Sequence, residues 1–168
     1  MMNRGYLEFP KPGLKWICIL ALFLPCLVHA RLGENEAELK KRFGEPVTRQ
    51  PVRELNFEVI SYKNHDLQIT VTLMGGKSAS EQYLRTEGKK DAAGKPLLIP
   101  IPAEMATAIL NANAQDGTWQ ELPPEEGKRK FVRSDKEGLA LFFLLGSIIT
   151  EVRISSSEYN RHLSQFAR

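Results

Sequence analysis

The sequence predicts an α+β fold in which two α-β-β-β repeats form an antiparallel sheet with helices packed on one face. Residues 67–73 alternate strictly between apolar and polar side chains, which is typical of a strand with one buried face. Residues 34–43 place apolar side chains at helical spacing. The same order of helix, loop and three strands recurs later, with residues 139–145 about 72 positions after residues 67–73.

The chain of 168 residues opens with a segment typical of a secretory signal peptide. Three basic residues precede a 13-residue apolar run at 16–28, and small or aliphatic residues at 28 and 30 suit cleavage after Ala30. The run is shorter than the ~18–20 residues of a membrane span, and Pro25 interrupts it. We therefore expect residues 1–30 to be a cleaved signal peptide rather than an uncleaved anchor, and the protein to be periplasmic or secreted.

Both cysteines, Cys18 and Cys26, lie within this leader. The rest of the chain therefore offers no disulfide, thiolate nucleophile or cysteine metal site. Pro25 stands where lipid attachment to Cys26 would require a small residue, so a lipid anchor is not expected. Removing the leader takes away three basic residues and Glu8, and the net charge falls from +3 to +1. A nearly neutral domain gives no reason to expect nucleic-acid binding.

Residues 31–168 suit one compact domain, which we divide into a first α-β-β-β unit at 31–90 and a second at 91–168. In the first unit, the helix at 34–43 ends at Gly44, and Pro46 prevents its continuation. Strands follow at 57–63 and 67–73, joined by a turn at 64–66. Periodicity does not decide whether 78–86 is a strand or a helix, but its counterpart at 148–154 favours a strand.

The stretch Leu73-Met-Gly-Gly-Lys-Ser78 ends as a nucleotide-binding P-loop does. A P-loop requires its first glycine at position 71, where Val71 stands in mid-strand. Without the backbone amides of a full loop there is no phosphate cradle. The stretch therefore predicts a hairpin turn in which glycine adopts positive φ.

In the second unit, the polar residues 87–96 indicate a linker. Apolar side chains at helical spacing predict a helix at 103–115, after Pro102. Strands are expected at 130–133, 139–145 and 148–155, and a short or frayed helix at 156–168. The basic clusters at 40–42 and 128–130 are short and mixed with acids, so we interpret both as solvated faces.

Candidate functional residues are few, and we expect no catalytic, cofactor or metal site. His65 falls in a turn and His162 in the tail, neither with converging partners. Acid pairs for glycoside chemistry could be drawn from six glutamates, although helix-dipole and loop roles explain them: Glu34, Glu36, Glu38, Glu121, Glu125 and Glu126. Trp119 is a candidate interface residue or a core residue. Phe142 is a second interface candidate, because its strand is apolar on both faces.

The stretch Gly33 to Val47 resembles the opening helix motif of the SmpA/OmlA family of small outer-membrane lipoproteins. Its landmarks here are Gly33, Glu38-Leu39 and Phe43-Gly-Glu-Pro46. A tandem of such units is similar to the β-lactamase-inhibitor-protein fold, and residues 31–168 look like small exported bacterial proteins of unknown function. The resemblance implies a fold and an exported location. The chain departs from it in lacking a proper lipid-attachment cysteine and any disulfide.

These observations together favour a non-catalytic exported protein that binds another exported protein or an envelope component. The alternatives are a small envelope hydrolase that uses carboxylates and a structural envelope accessory. A cleft with two converging acids would favour the hydrolase, whereas a flat apolar face would favour binding.

Overall fold

A computed structural model describes residues 31–94 and 96–166, so the predicted signal peptide at 1–30 lies outside the described residues. The helices are α1 (Glu36–Phe43), α2 (Ala103–Ala112) and α3 (Ser157–Phe166), with a 3₁₀ turn at Arg53–Leu55. The strands are β1 (Thr48–Val52), β2 (Phe57–Asn64), β3 (Leu67–Met74), β4 (Lys77–Lys90), β5 (Pro96–Leu98), β6 (Trp119–Glu121), β7 (Lys128–Arg133), β8 (Gly138–Leu145) and β9 (Ile148–Ser156).

All nine described strands belong to one antiparallel sheet in the order β1-β2-β3-β4-β9-β8-β7-β6. The β4–β9 pair joins the first half of the chain to the second, and β5 pairs with the far end of β4. The α+β fold class is confirmed. No helix of the described segments is both long and apolar enough to cross a membrane.

The first turn of helix α1 is stabilised by a capping box, in which Asn35 and Glu38 each satisfy the backbone amide of the other. The Asn35 side chain accepts a hydrogen bond from the Glu38 amide (3.1 Å), and the Glu38 carboxylate accepts one from the Asn35 amide (2.8 Å). Gly44 ends the helix at φ 87°, where a side chain would be strained. The predicted helix and its stop are confirmed.

The glycines of the Gly-Gly-Lys stretch form the two-residue turn between β3 and β4. Gly75 and Gly76 have φ values of 60° and 77°, the positive pair that a type I′ hairpin turn needs. Lys77 and Ser78 begin β4 rather than a helix. The prediction of a hairpin turn, and of a strand after it, is confirmed.

One face of the sheet carries the hydrophobic core, and we call it the covered face. Along β3, Ile69, Val71 and Leu73 are buried while the residues between them are partly exposed. The helices α1 and α2 cover this face with Leu39, Phe43, Ala106, Ile109 and Leu110, which join the strand residues in one cluster. Burying such side chains is worth about 1.5–3 kcal/mol each.

The opposite face, which we call the open face, is covered only in part among the described residues. Phe57 lies on this face, because it is out of phase with the buried Ile60 and Tyr62. Its ring contacts Tyr159 and His162 of α3, with centroids 5.4 and 5.1 Å away. The prediction that the helices pack on one face is therefore wrong for α3, because Phe57 provides an apolar platform on the other face.

Three further expectations need correction. Residues 87–96 are not a linker, because β4 continues to Lys90 and pairs with β5. The helix α2 ends at Ala112 rather than residue 115, since buried Asn113 turns its side chain to the Leu32 amide (3.1 Å) and the Ile109 carbonyl (3.2 Å). The sequence patterns also missed β1, β5 and β6, which are too short or too polar to show alternation.

Candidate functional site

The open face presents a row of four apolar side chains along β8: Leu139, Leu141, Phe143 and Leu145. The first three are partly exposed, and Leu145 is 72% exposed. Alternate residues of a strand lie about 6.8 Å apart, so the row extends over roughly 20 Å. We call it the β8 row.

Each side chain of β8 lies on the face of the sheet opposite to the one expected from the sequence. The spacing of about 72 residues aligned buried Ile69 with Leu141, but the buried residues of β8 are Ala140 and Phe142. A slip of one residue moves every side chain to the other face. Because β8 is apolar on both faces, its own pattern does not determine its phase. The neighbouring strand β9 determines which face each β8 side chain occupies, since its buried Val152 pairs with Phe142.

The two predicted interface residues do not form an exposed pair. Phe142 is only 2% exposed, and its ring lies 4.8 Å from that of Phe131 in the core. Trp119, at the start of the edge strand β6, is partly buried against the core cluster and lies over Gly138. Phe142 is therefore a core residue in this structure, and Trp119 matches the core alternative.

Charged side chains flank the β8 row. Lys130 and Arg153 are the cross-strand neighbours of Leu141, and the Arg153 guanidinium lies 5.2 Å from the centre of the Phe143 ring. Glu125 accepts from Lys128 (2.8 Å) and Lys130 (2.6 Å), and these two hydrogen bonds lower the pKa of its carboxyl to about 2. The row is thus an apolar strip with a mixed, mainly cationic border.

A buried ionic cluster lies on the covered face. Arg42 of α1 reaches Glu81 of β4 (2.9 Å) and Glu34 (2.9 Å), and the Tyr83 hydroxyl donates to Glu81 (2.5 Å). Burial raises the pKa of the Glu34 carboxyl, and burial also raises the pKa of Tyr83 well above its usual value. The side chain of Arg42 is only 7% exposed, so the interpretation of residues 40–42 as a solvated face is wrong for Arg42.

This cluster brings the carboxylates of Glu34 and Glu81 to one guanidinium, but it is not open to a substrate at Glu81. Glu81 has no exposed side-chain surface, so a substrate cannot reach it in this structure. The sequence gives no signal for Glu81, which stands among polar residues of β4. A buried charge of this kind requires a partner because desolvation is costly, and Arg42 supplies it.

The other candidate carboxylates have ordinary local partners. Glu36 pairs with Arg49, Glu38 caps α1, and Glu121 binds Arg129 through two hydrogen bonds of 2.7 and 2.8 Å. These bonds from Arg129 lower the pKa of Glu121. Glu126 lies in the exposed loop before β7.

Neither histidine lies in a constellation of ligands. His65 occupies the β2–β3 turn with φ 54°, and the His162 ring lies between those of Phe57 and Phe166, 5.1 Å from each. Within residues 31–94 and 96–166, no three His, Cys, Asp or Glu side chains are grouped to hold a metal ion.

A small cavity of about 200 Å³ lies on the open face between α3 and the sheet. Its floor consists of polar side chains from three adjacent strands, and its wall comes from α3. The lining residues are Thr70, Thr72, Ser80, Gln82, Leu141, Arg153, Ser155, Tyr159, Asn160 and Leu163. The helix is held beside it by hydrogen bonds between Asn160 and Ser155, at 2.9 and 3.2 Å.

Comparison with known proteins identifies no family for this chain. No family model matches it, and no curated protein does. Solved structures that are similar at low identity include two bacterial proteins. One is an extracellular protein containing an SCP domain from Bacillus anthracis (12% identity, TM-score 0.45), and the match covers 96% of this chain and 51% of that one. The other is a cysteine-rich secretory protein from Staphylococcus aureus (16% identity, TM-score 0.43), with 76% and 45% covered. The chain thus spans about half the length of these proteins.

The resemblance to the SmpA/OmlA family and to the β-lactamase-inhibitor-protein fold is wrong. No family model matches the chain, the two solved structures above are of other kinds, and the described chain forms one mostly β body. The motif from Gly33 to Pro46 has a local cause: a capped helix followed by glycine and proline stops. Any short amphipathic helix can end in this way, so the motif is not specific to a family.

Proposed function

We propose that this chain is an exported, non-catalytic binding protein whose contact surface is the β8 row. One observation carries the proposal: four consecutive outward side chains of a central strand are leucine or phenylalanine on a face that α3 does not fully cover. An antiparallel sheet with a solvated face normally presents polar residues there. A contiguous exposed apolar strip is typical of an interaction site.

The border of the row indicates the chemistry of the partner. Lys128, Lys130 and Arg153 stand beside the row, against the carboxylates of Glu125 and Glu151. A partner protein with an apolar patch and an acidic rim complements this surface, because rim charges steer association while the apolar centre supplies the buried area.

The leader supports export. Its basic start, short apolar run and small residues before position 31 follow the secretory pattern. The proposal places cleavage after Ala30 and the protein outside the cytoplasm.

We also propose that the two halves of the sheet are repeats of one unit, in which each residue of the first half corresponds to the residue 71 positions later. This correspondence relates Lys77 to Ile148 at the start of the last strand of each half. The strand pairing shifts its register at corresponding positions in the two halves. In the β3–β4 pair the shift falls between Thr72 and Leu73, and in the β8–β9 pair it falls between Phe143 and Leu144. In the segment before each of the helices α1 and α2, a backbone amide donates a hydrogen bond to a carbonyl in the last strand of the same half. Gly33 donates to Ser78 (2.7 Å), and Ile101 donates to Ile149 (2.8 Å).

The experiment that tests the binding proposal uses residues 31–168 as bait in an envelope extract of the host, with partners identified by mass spectrometry. A partner captured by the wild type is then purified, and its affinity is measured against two variants. Phe143→Ala removes the largest side chain of the row. Val47→Ala removes an exposed apolar side chain at the other edge of the sheet and is the matched control.

We expect Phe143→Ala to weaken binding by at least tenfold, because truncating an anchor residue at the centre of an interface costs 2 kcal/mol or more. Val47→Ala should bind as the wild type does. If Phe143→Ala binds with unchanged affinity, or if no stoichiometric partner is captured, the β8 row is not the contact surface.

A further inference from the structure

We propose that the cavity between α3 and the open face binds a neutral sugar ring. This site adjoins the protein contact proposed above and shares Leu141 and Arg153 with it, but its polar floor comes from β3, β4 and β9 rather than β8. The proposal depends on three features of the cavity: the chemistry of its floor, its charge and its size.

The floor is a regular grid of hydroxyl and amide groups. Thr70 is paired with Gln82 across β3 and β4, and Thr72 is paired with Ser80. Neighbouring strands lie about 4.8 Å apart and alternate residues about 6.8 Å apart, so four polar side chains occupy the corners of a rectangle of that size. Each hydroxyl or amide can both donate and accept. A pyranose ring, with hydroxyls around its edge, presents the same mixture of donors and acceptors.

The cavity carries little net charge. Its one cationic side chain, Arg153, is paired with Glu151 at 2.6 Å. A phosphate or carboxylate ligand would require uncompensated cations or several convergent amides, and the lining does not supply them. The apolar side chains Leu141 and Leu163 and the Tyr159 ring form the sides, where they can pack against the C–H faces of a sugar.

Ser80 adds a hydroxyl to the floor of the cavity, and the cavity has the size of one ring. The residue is 6% exposed and lines the cavity beside Thr72, its partner across β3 and β4. At about 200 Å³ the cavity is smaller than the ~300–1,000 Å³ of drug-sized pockets, which suits a single ring.

The test is a titration of ¹⁵N-labelled residues 31–168, followed by amide chemical shifts. The probes are glucose, N-acetylglucosamine, the β-1,4-linked dimer of N-acetylglucosamine, and inorganic phosphate. We expect at least one sugar to shift the amides of Thr72, Ser80 and Asn160, and phosphate to leave them unchanged. Tighter binding of the dimer than of the single ring would indicate a glycan chain as the natural ligand. Equal binding would indicate a free sugar.

Two variants keep the proposal open to refutation. Ser80→Ala and Thr72→Val each remove one hydroxyl from the floor, and Thr48→Val makes the same change on the edge strand β1. The floor variants should bind the sugar about three- to tenfold more weakly, as expected for one lost hydrogen bond, while Thr48→Val binds as the wild type does. Because Ser80→Ala removes one oxygen atom from the cavity lining and leaves the strand pairing of β4 unchanged, this variant should fold normally.

Three results would overturn the proposal: no sugar shifts the cavity amides at its solubility limit, phosphate shifts them in place of the sugars, or the floor variants bind as tightly as the wild type. None of these results bears on the protein contact, which is tested through Phe143.

Discussion

The two faces of the sheet are formed by the same strands but differ in how far their side chains are buried. On the covered face, the side chains of β3, β4, β8 and β9 are sealed under α1 and α2, and even the charged Glu81 has a dedicated partner. On the open face, the same strands present half-exposed leucine, phenylalanine, threonine and arginine side chains, and α3 rests on one end. No residue described in α3 is itself buried. Stability is therefore concentrated on the covered face.

The largest effect is expected from breaking the ionic cluster of the covered face. Arg42→Ala leaves the buried Glu81 carboxyl without its guanidinium partner. Such a change lowers the free energy of unfolding by about 3–5 kcal/mol, measurable by urea denaturation. The matched control is Lys40→Ala on the same helix, whose exposed ion pair with Glu45 is worth about 0–1 kcal/mol. An equal loss in both variants would show that the cluster does not hold α1 to the sheet.

Adjacent residues of β9 provide the next test of the contrast between faces. Ile154 is fully buried on the covered face, whereas Arg153 is partly exposed on the open face. We expect Ile154→Ala to lower the free energy of unfolding by about 2–5 kcal/mol and Arg153→Ala to lower it by at most about 1 kcal/mol. Chemical denaturation of both variants checks the difference. Similar losses would mean that the open face carries as much stability as the covered one.

How well the sequence predicted the structure depended on how unambiguous each local pattern was. Strand β3 alternates without exception, and α1 is capped at both ends, so both were predicted nearly to the residue. The candidate interface was predicted less well, because β8 is apolar on both faces and takes its phase from β9. As a result Phe142 was chosen in place of Phe143. Glu81 could not be found from its neighbours, because its burial arises from α1 packing across the sheet.

Removing α3 should have an intermediate effect. A chain that ends at Ser156 exposes Phe57, whose burial is worth about 1.5–3 kcal/mol, while the core under α1 and α2 stays intact. We expect a loss of that size in the free energy of unfolding, with an unchanged β-sheet signal in circular dichroism. Global unfolding on truncation would show instead that α3 is an essential part of the core.

The smallest effect should come from the border of the β8 row, through Glu125. Hydrogen bonds from Lys128 and then Lys130 lower the pKa of this carboxyl to about 2 in the folded protein, against about 4.3 in an unfolded chain. A lowered folded pKa contributes stability that is complete above the unfolded value and is lost as the pH falls towards 2. Because the group is fully exposed, salt should weaken the effect. A carboxyl NMR titration checks the pKa, and Lys128→Ala should raise it. Glu125→Gln should flatten the stability profile between about pH 4.3 and pH 2, and an unaltered profile would show that the two lysines do not hold this carboxylate in solution.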